Sequence, residues 1–437
     1  MNIYIFIEIK NRELSSKLLL AMESAKRGHD VYLGDILPYF NRNLLKPGIF
    51  HHKSLTPSKQ RVNLFKKLRK KKFKITSLDE EASHLNDHPD EFTMTRYGNK
   101  TINYAEKIFT WGKFDYNGLI KKYPKFKKKF INSGNPRVDF WKKKNFRFYK
   151  NNLINHKNYI LISSNFETIC GYNNLAKTIQ LYRDLGYFKQ GYAEKTLYEK
   201  ASKEYVIFYD FVKLIKKLSL RFPKKKIIFR PHPIEIVSDW QKIFFDYKNI
   251  IVTNSGEIGS WITNSILVIH NGSTGGLEAS LRKKKVISFS PKNLNIGYNF
   301  PNKISENFVT LKSAFKGVER YLSKTKKVNF DKRYDSKINL RYQNYLNNDA
   351  YLKIVDEWEK IKDKNLLIKN NTSKLKLYSN LKKIKSKFKK TNIKNNKFSD
   401  FNVTEIKVLH KKLCNIDNDF KNINIDILSG KFLRVYK

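Results

Sequence analysis

The chain has 437 residues, 40% of them hydrophobic and 14% aromatic, which is enough apolar material for more than one core and excludes a chain that is disordered throughout. Its 88 Lys and Arg outnumber 39 Asp and Glu, and the formal charge of +49 disfavours a cationic substrate. It suits an anionic partner (nucleic acid, an acidic membrane surface or a phosphorylated small molecule), although a general bias toward Lys, Asn and Ile explains the charge equally well.

Residues 4–9 read as a buried strand and not as a signal peptide, because Glu8 and Lys10 interrupt the apolar run and no basic segment precedes it. Residues 15–27 carry Leu18, Leu19, Met22 and Ala25 at helical spacing and stop at Gly28. Residues 29–33 form a second strand, completing a βαβ unit and implying a parallel sheet. The basic stretch 66–74 reads as a solvated helix end, and 74–77, 107–111 and 130–133 as further strands. A polar segment at 142–157 precedes a second α/β series. Its strands fall at 159–163, 226–230, 250–253, 266–270 and 286–290, with helices at 206–220 and 273–282. After Lys360 the sequence turns to runs of Lys and Asn, expected as a linker before a small module at 398–437. Cys170 and Cys414 provide neither a disulfide framework nor a paired zinc spacing. No apolar run approaches the roughly 18 residues of a membrane span.

The fold class expected is therefore α/β, with two Rossmann-like doubly wound domains facing a cleft and a Lys/Asn-rich C-terminal extension. The domains are expected at 1–150, 151–360 and 361–437. In such sheets ligands bind beyond the carboxyl ends of the strands, and five stretches lie there. Arg230-Pro231-His232-Pro233 ends an apolar strand in a stiff turn, where Arg230 can hold a phosphate and His232 can donate to a leaving oxygen. His270-Asn271-Gly272-Ser273-Thr274-Gly275-Gly276 runs from a strand into a helix, so that free N–H groups and the helix dipole form an anion site. Glu278, one turn further, is a candidate ribose ligand. Glu8-Ile9-Lys10-Asn11-Arg12-Glu13 with Lys17 is a charged loop at the end of the first strand. There Glu8 or Glu13 is a candidate base or nucleophile, and Lys10, Arg12 and Lys17 are candidates to grip an acidic acceptor. Leu78-Asp79-Glu80-Glu81 offers a second carboxylate set, and Gly134-Asn135-Pro136-Arg137-Val138-Asp139 follows another strand.

Taken together with Phe109-Thr110-Trp111-Gly112 and Ser163-Ser164-Asn165-Phe166, these stretches resemble those of the bacterial surface carbohydrate biosynthesis proteins, a group that looks like GT-B glycosyltransferases. The resemblance covers about residues 1–360. The His-Pro turn and the Gly-Ser-Thr loop also look like those of capsule and teichoic-acid polymer transferases and of sialic acid or Kdo transferases. The resemblance implies a C-terminal donor domain and an N-terminal acceptor domain. Arg230, His232, Asn271, Gly272, Ser273, Thr274 and Glu278 would bind the donor, and Lys10, Arg12, Lys17, Asn135 and Arg137 the acceptor. Glu8, Glu13, Asp79 and His232 are the catalytic candidates.

The activity expected is transfer of a sugar from a nucleotide sugar to a growing surface polysaccharide or a lipid-linked acceptor, without metal and with no cofactor beyond that co-substrate. The expected place is the cytoplasm, peripherally on the inner membrane, with an anionic membrane surface as a further partner. A sugar-nucleotide 2-epimerase or hydrolase of the same architecture is the alternative. A nucleic-acid-binding protein ranks below both, because no helix-turn-helix, zinc finger or aromatic RNA-binding signature stands out and no specific nucleic acid is expected.

Overall fold

The computed structural model describes residues 1–437 except 82–92, 94, 150–155, 172–173, 191–192, 295–298, 324–334, 347 and 389–397. Its strands, in chain order, begin with β1 (Asn2–Phe6), β2 (Asp30–Gly34), β3 (Ile49–His52), β4 (Lys74–Leu78), β5 (Ala105–Thr110) and β6 (Phe130–Asn132). There follow β7 (Tyr159–Ser163), β8 (Ile227–Arg230), β9 (Ile250–Val252), β10 (Ser265–His270), β11 (Val286–Phe289) and β12 (Glu306–Phe308), then β13 (Asn424–Ser429) and β14 (Phe432–Tyr436). They build two α/β units. One combines Met1–Ala82, Arg96–Phe148 and Asn339–Lys437, and the other is built on Tyr149–Ile338.

The first unit's sheet has the order β13-β14-β2-β1-β3-β4-β5-β6. It is parallel from β2 to β6, and the β13–β14 hairpin adds antiparallel to β2. The second unit's sheet, β12-β11-β10-β7-β8-β9, is parallel throughout. In each sheet the first strand of the unit has later strands on both sides: β1 lies between β2 and β3, and β7 between β8 and β10. These are the topological switch points, where an open parallel sheet leaves a crevice beyond its strand ends.

The sequence of β7 shows why these strands lack alternation. Ile160 and Ile162 pack with Phe211, Leu214, Phe229 and Trp240 on one face. Tyr159 and Leu161 pack with Ile228, Trp261, Ile262 and Val268 on the other. A strand covered on both faces is apolar at every position. The long helix Lys195–Arg221 contributes Ile207, Phe211, Leu214, Ile215 and Leu218 to the first of these cores.

Three expectations change. Residues 10–13 are not a loop: the first helix runs Lys10–Lys26, so the charged cluster after β1 is its first turn. The described part of 361–437 is not a free-standing module but part of the first unit, through the helices Thr372–Phe388 and Val403–Cys414 and the hairpin. Phe432, Leu433 and Val435 of β14 are buried, Arg434 pairs with Asp30 at 2.7 Å and Lys26 with Asp417 at 2.6 Å. Strand β3, the sequence Ile49-Phe50-His51-His52, was not foreseen. The stretch 66–74, by contrast, does contain a solvated helix end: in Lys59–Lys70 only Phe65 and Leu68 are buried.

Candidate functional site

At the switch point of the second sheet, Ser163 stands in register with Arg230 on one side and His270 on the other, so three strand ends meet in one row. The chain leaves β10 through Gly272 at φ +89°, and Ser273 caps the helix Thr274–Leu281 by accepting the Gly276 N–H at 3.2 Å. The Ser273 hydroxyl donates to Ser163 Oγ at 3.0 Å, which fastens the loop to β7. The Thr274 and Gly275 N–H groups, at the first helical positions, have no intrahelical acceptor and lie at the positive end of the dipole. Gly275 is required, because a Cβ there would collide with Ile258 and Ser163.

Arg230 is 7% exposed. Its guanidinium donates to the Ser255 and Gly256 carbonyls and stacks over Trp261 at 5.5 Å. Ile258 and Trp261 lie on one helix, Ile258–Asn264, so the Ser273 loop and Arg230 converge on its first turns. Among the described residues no carboxylate pairs with Arg230, and burial pushes its pKa down to about 10. A buried cation without a counter-charge is held at a cost that an anion would relieve. Asn271, buried, donates to the Asn165 carbonyl at 3.2 Å and keeps its own Oδ1 without a donor among the described residues. His232 is half-buried on its turn, with its Nδ1 accepting weakly from the Ile234 N–H at 3.4 Å.

Two predicted residues here have structural partners. His270 is fully buried and held by the Gly272 N–H at 3.0 Å and Ser305 Oγ at 2.9 Å, and burial lowers its pKa to about 3, so it is a neutral packing residue. Glu278 is buried and paired with Arg282 at 3.1 Å, one turn along the helix and away from its N-terminus. Glu235, which sequence reasoning missed, accepts from Ser164 Oγ, the Phe166 N–H and Trp240 Nε1 at 2.6, 2.7 and 2.8 Å. It thereby ties the end of β7 to the His-Pro turn, and burial pushes its pKa up to about 7.

At the switch point of the first sheet the ends of β1, β3 and β4 carry a dense ion network. Glu13 is fully buried, accepts the Glu8 and Ile9 N–H groups at 3.1 Å each, and pairs with Lys17 at 2.6 Å. It caps the helix it belongs to, in the manner of a capping box. Lys17 also reaches the Phe6 carbonyl at 2.8 Å and Glu80 at 3.2 Å. Burial opposes its charge, but Glu13 and Glu80 outweigh burial and raise its pKa. Arg12 pairs with Glu81 at 3.2 Å, and buried Asp79 with Arg96 at 2.9 Å. Burial raises the Asp79 pKa against the pull of Arg96. Lys10 turns to the C-terminal segment, reaching Glu405 at 2.6 Å and the Asp400 carbonyl at 2.8 Å. Of the catalytic candidates Glu8, Glu13 and Asp79 only Glu8 stays half-exposed, paired with Lys53, whose pKa burial lowers to about 8. Lys53 and Arg96 were not foreseen. Lys53 follows the unexpected β3, and nothing in the one-dimensional pattern marks Arg96.

Asn135 is an N-cap: it accepts the Arg137 N–H at 2.8 Å, and its backbone carbonyl accepts from Asn344 at 3.0 Å. Gly134, at φ +85°, leaves no room for a Cβ against the Asn344 side chain. Asp139 accepts from the Ala350 and Tyr351 N–H groups at 2.9 and 3.2 Å, capping the helix Ala350–Glu359, and burial pushes its pKa up to about 7. The Gly-Asn-Pro-Arg-Val-Asp stretch therefore clamps the C-terminal segment to the first unit. Within this stretch Arg137 is half-buried, with its guanidinium over Trp111 and Trp141.

Among the described residues no three His, Cys, Asp or Glu side chains gather as a metal site, and no helix is long and apolar enough to cross a membrane. No family model matches the chain, and no curated protein does. Among solved structures it is similar to a UDP-GlcNAc 2-epimerase from Methanocaldococcus jannaschii in complex with UDP-GlcNAc and UDP, at 15% identity over 83% of this chain and 100% of that chain, with a TM-score of 0.49. A co-structure of S. aureus MnaA with UDP is 12% identical over 85% of this chain and 98% of that chain, with a TM-score of 0.48. The wall teichoic acid polymerase TagF is 12% identical over 82% of this chain and 88% of that chain, with a TM-score of 0.47.

Proposed function

We propose that the protein is a sugar-nucleotide enzyme that transfers a glycosyl residue from a nucleotide sugar to a saccharide or lipid-linked saccharide in surface polysaccharide assembly. The observation that carries this reading is Arg230, a buried guanidinium without a carboxylate partner among the described residues, beside the Ser273-capped helix N-terminus. Two phosphates bring the negative charge that this corner lacks, and the unpaired Oδ1 of Asn271 is an acceptor for a hydroxyl of the same ligand. In transfer, an acceptor hydroxyl forms a bond to the anomeric carbon while the bond from that carbon to the phosphate oxygen breaks. The phosphate leaves with the electron pair, and Arg230 and the helix N-terminus stabilise its charge. His232 is the candidate donor to the leaving oxygen, and the acceptor's proton passes to a carboxylate base or to water.

A second reading has its own observation. Lys10, Arg12, Lys17, Glu13 and Asp79 are committed to internal pairs, which leaves few free groups to grip a second saccharide. This favours acceptor-independent conversion, by a 2-epimerase or a hydrolase. Incubation with UDP-, CDP-, GDP- and CMP-sugars, with and without acceptor oligosaccharide, followed by mass spectrometry, separates the two. Nucleotide release that requires the acceptor supports transfer, and an altered or hydrolysed sugar without acceptor supports the second reading. Unchanged nucleotide sugars throughout refute both.

A further inference from the structure

The helix Lys195–Arg221 buries one face in the core of the second unit and turns another to solvent. On that outer face Tyr205 and Tyr209 are each 65% exposed and Leu220 is 72% exposed. Tyr198, Tyr205, Tyr209, Lys216 and Leu220 recur at intervals that return to one side of a helix. At the C-terminal end of the stripe Lys216 Nζ lies 5.5 Å from the centre of the Tyr247 ring, which joins the helix to the loop before β9. Between them a groove is lined by Leu220, Pro223, Lys224, Tyr247, Lys248 and Ile251. Phe245, two residues before Tyr247, is 85% exposed, the largest value for a large hydrophobic side chain among the described residues. The surroundings are basic: from Lys195 to Lys226 the sequence has ten Lys or Arg against three Asp or Glu. Lys213 sits over Tyr209 at 5.4 Å.

We propose that this face docks the second unit on an anionic lipid bilayer, with Phe245 and Leu220 entering the acyl boundary, the tyrosines at headgroup depth and the lysines on the lipid phosphates. Charge complementarity selects that partner, and the aromatic and aliphatic side chains distinguish it from a bare polyanion site. Single exposed apolar residues are ordinary, but aromatic rings interleaved with lysines around an apolar tip match the composition of the bilayer interface. Each Lys near an anionic surface adds about 1 kcal/mol of attraction, while the apolar tip makes the attachment outlast added salt.

Sedimentation with vesicles tests this. The full chain is mixed with vesicles of phosphatidylcholine alone or with about one third phosphatidylglycerol, at low and at physiological salt. The parent is expected to co-sediment with the anionic vesicles at both salts and not with the neutral ones. Leu220→Ser with Phe245→Ser is expected to weaken partition at physiological salt by about tenfold or more, and Tyr205→Ser with Tyr209→Ser to weaken it less. Leu367→Ser, at an equally open site (70% exposed) on the first unit, is the matched control and is expected to change nothing. All these side chains are exposed, so unchanged circular-dichroism melting confirms folding. Undiminished partition of the Leu220→Ser/Phe245→Ser variant, or an equal loss in Leu367→Ser, overturns the proposal. Anionic-vesicle binding that vanishes at physiological salt overturns it too, because it is what the net charge alone would give, to DNA as readily as to lipid.

Discussion

Gly276→Ala tests the packing on which the second unit's anion loop depends. Gly276 sits in the first turn of the helix Thr274–Leu281, and a Cβ there would enter the ring of His270 more closely than real Cβ atoms approach. The ring cannot swing aside freely. It is fully buried, with Nδ1 accepting the Gly272 N–H at 3.0 Å and Nε2 paired with Ser305 Oγ at 2.9 Å. Overpacking costs about 1–3 kcal/mol. Displacing the ring leaves the buried Gly272 N–H without its partner, at roughly 1–3 kcal/mol, and the helical preference of Ala over Gly returns about 1 kcal/mol. The net expectation is a destabilisation of about 1–5 kcal/mol, read by urea unfolding followed by circular dichroism. Nucleotide binding should weaken as well, because Gly272 and Ser273 move with the ring. A Gly276→Ala protein within about 0.5 kcal/mol of the parent refutes the reasoning, as does one that binds nucleotide undiminished.

Other expectations are independent of that loop. Asp139→Ala should destabilise the first unit by about 3–5 kcal/mol in urea, because the N–H groups of Ala350 and Tyr351 and the amide of Asn344 lose their acceptor together. Glu13→Gln should cost about 3 kcal/mol by leaving the buried ammonium of Lys17 short of its closest partner; normal stability with lost activity would restore Glu13 as a catalytic group. Glu235 has a folded pKa of about 7 against an ordinary 4.5, so the folded state holds more protons than the unfolded one between those values. The contribution of Glu235 to stability is therefore full below about pH 4 and lost as pH rises through 7, by about 3 kcal/mol. His51 and His270, both near 3, oppose this trend below pH 6.5. The test is the difference between parent and Glu235→Gln, which should drift by that amount between pH 4 and 8 while the histidine effects cancel.

The α/β architecture was readable because parallel strands covered on both faces write themselves as apolar runs: 159–163 coincides with β7, and 226–230, 266–270 and 286–290 miss β8, β10 and β11 by a single residue. The strands that were missed break that rule. In β3, His51 and His52 are buried but satisfied, by Thr76 Oγ1 and by the Ser54 carbonyl, so their polarity misrepresents their position. Edge strand β12 carries Glu306 and Asn307, and β14 lies within a stretch whose many lysines suggested a tail. The second unit's loop was legible because capping chemistry is local: Gly272, Ser273 and Gly276 act within five residues. The charged side chains of the first unit were not, because their partners are remote in sequence. Arg12 meets Glu81, Lys10 meets Glu405, and Asp139 meets Ala350. A cluster of charges after a strand shows where the sheet's crevice lies, but not which charges already neutralise each other there.

The central claim is that Arg230 waits for a phosphate. Calorimetric titration of the parent and of Arg230→Met with UDP, CDP, GDP and CMP measures it directly. The account predicts that one nucleotide binds the parent and binds Arg230→Met about tenfold more weakly or worse, in keeping with the loss of a charge-assisted phosphate contact. Equal affinity in both proteins, or a folded parent that binds none of the four, would contradict it.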